Sequence, residues 1–158
     1  MTLKLILAAG LVAAAATAQA GTFPSGGVAT GVSNSVTHEV AEGHVVVDVN
    51  TDYAGFEMEN EGNPMAGMAG SCIGSMQIAA GAVEGGGKCV FTDTDGLTAV
   101  IDWYATGLGE DGAILGQWVP AGGAGKWNDA TGGGGFVTMT DATTGVTTNR
   151  IDGEITMP

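Results

Sequence analysis

Apolar and polar residues alternate along much of the chain. In the run 44–50, Val45, Val47 and Val49 share one face of an extended strand, and the intervening residues share the other. The run 53–59 repeats the alternation and sets apolar residues against acidic ones. A period of two residues is typical of half-buried strands in an antiparallel sheet. We therefore expect the chain to fold mainly as strands.

Glycine and Asp-Gly turns divide the chain into short strand-forming segments. Glu42 and Gly43 form one such turn, between strands predicted at 36–41 and 44–50. The remaining strands are predicted at 53–59, 71–80, 88–92, 97–105, 113–119, 123–127, 135–140 and 146–156. After residue 20 no window has the apolar spacing of a helix. Strands at such short spacing favour a sandwich or a barrel, and a closed barrel has the advantage of leaving no strand edge exposed.

The beginning of the chain departs from this pattern. Residues 1–20 combine a basic Lys4, an apolar stretch and a small-residue cleavage site, which together are typical of a secretory signal peptide. The apolar stretch is too short for a spanning helix. Residues 21–34 are rich in Gly, Ser and Thr, and we expect a flexible N-terminal arm there. The barrel domain is then predicted at 35–158, in an exported protein of the periplasm or the extracellular medium.

After residue 20 the chain is strongly acidic. Lys88, Lys126 and Arg150 are its only strong bases, and the whole chain has a formal net charge of −13. Such a charge repels phosphate backbones, so we expect no nucleic-acid partner. No later apolar run is long enough to cross a bilayer as a helix, so we expect no membrane span in the exported chain.

Cys72 and Cys89 are the two cysteines of the chain. An even pair in an exported protein predicts one disulfide. Redox-active pairs are more often spaced Cys-x-x-Cys, and a zinc site needs more ligands. We therefore expect Cys72 and Cys89 to be bonded and to tie two strands together.

The segment 122–136 reads Gly-Gly-Ala-Gly-Lys-Trp-Asn-Asp-Ala-Thr-Gly-Gly-Gly-Gly-Phe. It resembles a corner of the allene oxide cyclase and dirigent-like barrel superfamily, where a Gly-Gly-Thr-Gly-Lys-Phe-like strand runs into a turn and a Thr-Gly-Gly-containing strand. The segments 87–91 and 93–96 resemble the layout of small exported members of that group. Ala124 and Trp127 depart from the pattern, which usually has Thr and Phe there. The resemblance implies an all-β fold, a single antiparallel barrel of about eight strands of the calycin or allene oxide cyclase type.

Large aromatic residues are the candidates for a ligand-binding interior. An apolar small molecule is the partner that such an interior would hold. The residues expected to line it are Phe91, Trp103, Trp118, Trp127 and Phe136.

Three polar residues are the candidates for catalysis. Asp102 and Tyr104 share one face of a predicted strand, and Arg150 lies on the last strand. Facing inward, they would form an acid–base and anion-orienting cluster. Facing outward, they are solvated, and Ile101 and Trp103 fill the barrel instead, which their hydrophobicity favours.

Two pairs of residues are weak candidates for metal binding. Asp93 and Asp95 resemble part of a calcium loop, although other ligand positions of that pattern hold apolar residues. An Asp-Gly turn explains both aspartates more simply. His38 and His44 flank a predicted hairpin turn and are candidates for copper. We expect neither a metal nor a cofactor.

Three functions remain open. The first is non-enzymatic binding of an apolar small molecule, or an interaction role. The second, implied by the resemblance, is a cofactor-free isomerase or cyclase. The third is a purely structural envelope protein. An interior cavity of roughly several hundred Å³ would favour the first two, and an interior filled by side chains would favour the third.

Overall fold

The structure, a computed structural model, describes residues 20–158. The predicted signal peptide therefore lies outside the described residues, apart from Ala20. No helix in the described part has the length and apolar character needed to cross a membrane.

Strands account for nearly all of the regular structure between residues 20 and 158. A single 3-10 turn, Gly125–Trp127, is the only helical element there. The strands are β1 (Gly21–Pro24), β2 (Gly27–Ser33), β3 (Val36–Ala41), β4 (His44–Met58), β5 (Ala69–Ala79), β6 (Ala82–Thr92), β7 (Thr98–Leu108), β8 (Ile114–Gly123), β9 (Thr131–Thr140), β10 (Val146–Ile151) and β11 (Glu154–Met157).

Eight of these strands close into a barrel. Each strand from β4 to β10 pairs antiparallel with the next, β10 pairs with β2, and β2 pairs with β4. Every barrel strand therefore has two neighbours, and the barrel wall has no open edge. The predicted all-β antiparallel barrel of about eight strands is confirmed.

The other three strands extend the barrel at its two ends. At one end β3 runs along the first half of β4, and all of its residues are exposed. At the opposite end β1 pairs with β11, which pairs in turn with the start of β9. This ribbon joins the two ends of the described chain, because Gly21 lies opposite Met157.

The prediction of a flexible arm at 21–34 is wrong. These residues form β1 and β2, and β2 closes the barrel between β4 and β10. The sequence hides this strand because its buried positions carry Gly27, Ala29 and Gly31, which give no hydrophobic alternation. Backbone hydrogen bonds to two neighbouring strands hold it in place instead.

Several strand boundaries also differ from expectation: β6 begins at Ala82 rather than at 88, and the predicted strand 146–156 is two strands, β10 and β11. The predicted strands 44–50 and 53–59 form one continuous strand, β4. The predicted strand 123–127 consists of the end of β8 and the 3-10 turn, which reverses the chain before β9. The hairpin turn at Glu42 and Gly43 lies where it was predicted, and Gly43 has a φ of 70°, which suits glycine.

One end of the barrel is closed by packed side chains. We call it the closed end; it comprises the connection 59–68, the β6–β7 turn at 93–97 and the 3-10 turn. Asn63 holds the connection in place: its amide group donates to Pro24 O at 2.7 Å, and its side-chain oxygen accepts from the Met65 amide at 2.8 Å. Met65, Met68 and Trp127 are almost fully buried there.

Candidate functional site

The interior of the barrel contains a cavity of about 440 Å³. It reaches the surface at the end opposite the closed end, which we call the mouth. The mouth is formed by the β2–β3 connection at 34–35, the β7–β8 turn at 109–113 and the β9–β10 turn at 141–145. Hydroxyl groups of Ser33, Ser35, Thr37 and Thr140 line it.

Trp103 of β7 forms a large part of the apolar wall. Its ring lies across the neighbouring strands β5 and β6 at two glycines, since a Cβ on Gly74 or Gly87 would come within 2.5 Å and 2.8 Å of ring atoms. Its indole N–H donates to Ile73 O at 3.3 Å. Glycines in these strands therefore make room for the ring to lie against the wall.

The adjoining strands β8 and β9 also pair a large ring with a glycine. The Phe136 ring of β9 lies over its cross-strand partner Gly116, where a Cβ would meet the ring at 2.2 Å. Beside it, the Trp118 indole N–H donates to Asp152 O at 3.0 Å. Both tryptophans thus satisfy their polar atom against the backbone and present an apolar face to the cavity.

Aromatic rings form the floor of the cavity. The ring centroids of Phe56 and Phe91 are 5.2 Å apart in an edge-to-face arrangement, and that of Tyr53 lies 6.3 Å from each. All three side chains are buried and line the cavity together with Met65. The floor is therefore continuous with the packed closed end.

One side of the cavity is polar. Thr138 of β9 donates from Oγ1 to Asn149 Oδ1 of β10 at 3.0 Å. Burial raises the pKa of Tyr53 to about 12, an effect that the polar side chains of Thr138 and Asn149 partly oppose. Tyr53 is consequently a neutral hydroxyl group at physiological pH.

The disulfide between Cys72 and Cys89 is confirmed. The two residues are direct cross-strand partners on β5 and β6. Both face inward and line the cavity, where they are largely buried. The bond thus ties the two strands on which Trp103 lies.

Four of the five aromatic residues expected to line the interior do contact the cavity: Phe91, Trp103, Trp118 and Phe136. Trp127 does not. It is fully buried at the closed end, where its indole N–H donates to Asp93 Oδ2 at 2.8 Å. The 3-10 turn, which the sequence pattern did not predict, places it there.

The three candidates for catalysis do not contact the cavity. Asp102 lies on the outer face of β7, with its carboxylate 2.5 Å from Lys88 Nζ. Tyr104, on the same face, is about half exposed, at 49%. Arg150 is exposed on β10, because its neighbours Asn149 and Ile151 face inward. The residues of β7 that line the cavity are Ile101 and Trp103.

Asp93 and Asp95 bind protein groups in the β6–β7 turn. Asp93 Oδ1 accepts from the amides of Asp95 and Leu97, and Oδ2 accepts from Trp127 and lies 3.0 Å from Lys126 Nζ. Burial alone would raise the pKa of Asp93, but these hydrogen bonds outweigh it and lower the pKa to about 2. Lys126 also contacts Asp95 at 2.6 Å, so one ammonium group bridges the two carboxylates and offsets part of their charge.

His38 lies within β3, and His44 follows the hairpin turn as the first residue of β4, where its Nε2 is buried. His38 Nε2 lies 3.1 Å from Asp48 Oδ2, and His44 is opposite Ala79 of β5. Between residues 20 and 158 no three His, Cys, Asp or Glu side chains are grouped so that they could hold a metal ion.

The sequence analysis did not predict the polar side of the cavity. Tyr53 begins a run that was interpreted as apolar residues set against acidic ones, and Asn149 lies between polar residues of a Thr-rich strand. Strand alternation alone places Asn149 and Ile151 on one face of β10. The pairing order that brings β4, β9 and β10 to one side of the barrel is not readable from alternation.

No protein-family model matches the chain, and no curated protein matches it. Solved structures do. The pterocarpan synthase dirigent protein GePTS1 superposes with a TM-score of 0.53 and 14% identity, over 95% of this chain and 99% of that chain. The pterocarpan synthase dirigent protein PsPTS1 gives a TM-score of 0.52 and 13% identity, over 87% and 96%. The chain has the dirigent-like barrel fold.

A third similar structure is a conserved protein of unknown function from Rhodopseudomonas palustris, at a TM-score of 0.49 and 12% identity, over 89% of this chain and 99% of that chain. The resemblance noted at 122–136 is confirmed at the level of the dirigent-like fold. At these identities the likeness concerns the fold, which hosts different functions.

Proposed function

We propose that the protein is an exported barrel that binds an apolar small molecule in its cavity and is not an enzyme. The cavity is the observation that carries this proposal. Its volume of about 440 Å³ lies within the range of roughly 300–1,000 Å³ that small-molecule sites occupy. Its walls combine aromatic faces with a few polar groups on one side, as such sites do. The disulfide, a bond that persists in oxidising compartments, supports export to the periplasm or the extracellular medium.

The charges of the cavity favour binding over catalysis. Asp141 is the one charged residue among its lining residues, and it is exposed at the mouth. Its carboxylate already accepts from the Thr143 and Thr144 amides, and these bonds lower its pKa. Tyr53, with a pKa of about 12, is a poor proton acceptor or donor for general acid–base chemistry near neutral pH. No acid–base pair therefore lines the cavity.

The alternative is a cofactor-free isomerase or cyclase. The fold shared with two proteins described as pterocarpan synthase dirigent proteins favours it. A barrel that only shapes a reactive ligand would need the same cavity and no acid–base pair. A purely structural role is less well supported, because such a barrel has no need of an open interior.

Native mass spectrometry of the protein purified from its own host tests the proposal. We expect a co-purifying apolar mass that is released by organic solvent. Val49 lines the cavity and Val90 is half exposed on the outer wall, so Val49→Phe and Val90→Phe form a matched pair. The bound mass should be lost in Val49→Phe and kept in Val90→Phe, with both variants checked for folding by circular dichroism.

A mass that survives Val49→Phe, or the absence of any bound mass together with no saturable uptake of an apolar fluorophore, would contradict the proposal. Conversion of the released ligand into a product by wild-type protein would favour the isomerase alternative.

A further inference from the structure

The polar groups of the cavity are concentrated on one side, where β4, β9 and β10 meet across β2. Tyr53 of β4, Thr138 of β9 and Asn149 of β10 all line the cavity on this side. The inward residues of β2 in between are Ala29 and Gly31. Because these two residues are small, they leave room on this side of the interior.

The hydrogen bonds among these groups leave a donor for a ligand. Thr138 donates its hydroxyl hydrogen to Asn149 Oδ1. Thr138 therefore has no hydrogen left to donate to Tyr53, and the Tyr53 hydroxyl group, which lines the cavity, makes no hydrogen bond to another side chain of residues 20–158. The tyrosine O–H hydrogen is therefore free to point into the cavity, and at physiological pH it is always present.

No positive charge faces this polar side. Of the strong bases among the described residues, Lys88 pairs with Asp102 on the outer wall, Lys126 contacts the aspartates of the β6–β7 turn, and Arg150 is exposed on the outer face of β10. The mouth carries Asp141 instead, on a chain with a net charge of −13. A carboxylate entering the cavity would lose its hydration without gaining a cation.

We infer that the cavity selects neutral apolar ligands that carry one hydrogen-bond-accepting oxygen, with Tyr53 as the donor to that oxygen, and that it rejects carboxylates. This inference rests on the proposed function. It adds the chemical class of the ligand and the residue that recognises it.

Three probes of nearly equal shape test the inference: 2-acetylnaphthalene, 2-ethylnaphthalene and 2-naphthoate. Their affinities are measured at neutral pH by quenching of the fluorescence of Trp103 and Trp118, which line the cavity. We expect the ketone to bind roughly two- to ten-fold more tightly than the hydrocarbon, the usual effect of one net hydrogen bond. The carboxylate should bind at least about ten-fold more weakly than the ketone.

Two tyrosine variants assign the effect to one residue. In Tyr53→Phe the affinity for the hydrocarbon should stay within about two-fold while the ketone loses its advantage. Tyr104→Phe, on the outer wall, should leave all three affinities unchanged. The ratio of ketone to hydrocarbon affinity is the measure, because a general loss of stability would lower both.

The outcomes separate the two proposals. Equal binding of ketone and hydrocarbon, a ketone advantage that survives Tyr53→Phe, or tight binding of 2-naphthoate would overturn the inference and leave the proposed function standing. Failure of all three probes to bind would overturn both.

Discussion

The two ends of the barrel are built in opposite ways. At the closed end, Met68 and Trp127 have no exposed surface, and every oxygen of the Asp93 carboxylate accepts hydrogen bonds from the protein. At the mouth, Ser35 and Thr140 present hydroxyl groups around an open cavity. The same eight strands run through both ends, so the difference lies in the connections and in the side chains that they carry.

The difference between the two ends indicates which part of a hollow barrel stabilises the fold. An empty interior forfeits packing contacts along its walls. The closed end supplies these packing contacts instead. Its connection 59–68 folds back onto β4, where the backbone of Phe56 hydrogen-bonds with the backbone of Gly67 and of Met68. We infer that one end holds the fold and thereby frees the other end for a ligand.

The largest expected contrast comes from the same substitution at both ends. Met68 is fully buried at the closed end, whereas Met76 borders the cavity and is only partly buried. Met68→Ala should lower the free energy of unfolding by about 2–5 kcal/mol, since it leaves a new void in packed surroundings. Met76→Ala should cost at least about 1 kcal/mol less, because part of its surface already faces open space.

Urea denaturation of both variants measures this contrast, and binding of 2-ethylnaphthalene provides a second measurement. Only Met76→Ala should change the affinity for the probe. Equal losses of stability at the two sites would mean that the interior is packed and that the contrast between the ends is wrong.

A smaller effect should appear in acid. The pKa of Asp93 is about 2 in the folded protein, below its ordinary value of 3.8. The unfolded chain therefore takes up this proton first as the pH falls. The stabilisation is present above pH 4 and is lost as the pH approaches 2, and it amounts to at most about 2 kcal/mol.

Thermal unfolding between pH 5 and pH 2 measures this loss, with Asp93→Asn as the reference. The variant should be less stable at pH 5 and should lose less stability over the range than the wild type. Parallel pH profiles for the two proteins would remove Asp93 from the account of the closed end.

Much of the barrel wall could be predicted from the sequence. Alternation in β4 and β7 follows directly from one face being buried, and the correct orientation of Trp103 relative to Asp102 follows from the same rule. The pairing of Cys72 with Cys89 needed only the count of cysteines. The strand β2 was missed because a barrel position filled by glycine and alanine carries no hydrophobic signal.

The ends of the barrel could not be predicted in this way. Trp127 was assigned to the interior because its hydrophobicity indicates burial but not the place of burial. The 3-10 turn that carries it to Asp93 depends on contacts between segments 34 residues apart. Likewise, Tyr53, Thr138 and Asn149 come together only once the strand order is known.

The central claim is that the hollow mouth half of the barrel is the ligand site. A crystal structure of the protein with 2-acetylnaphthalene tests it most directly. We expect the naphthalene ring to lie inside the cavity against Trp103 and Trp118, with the ketone oxygen within hydrogen-bonding distance of the Tyr53 hydroxyl group. A probe bound on the outer wall near Ile73 and Val90, with the interior filled by side chains, would contradict it.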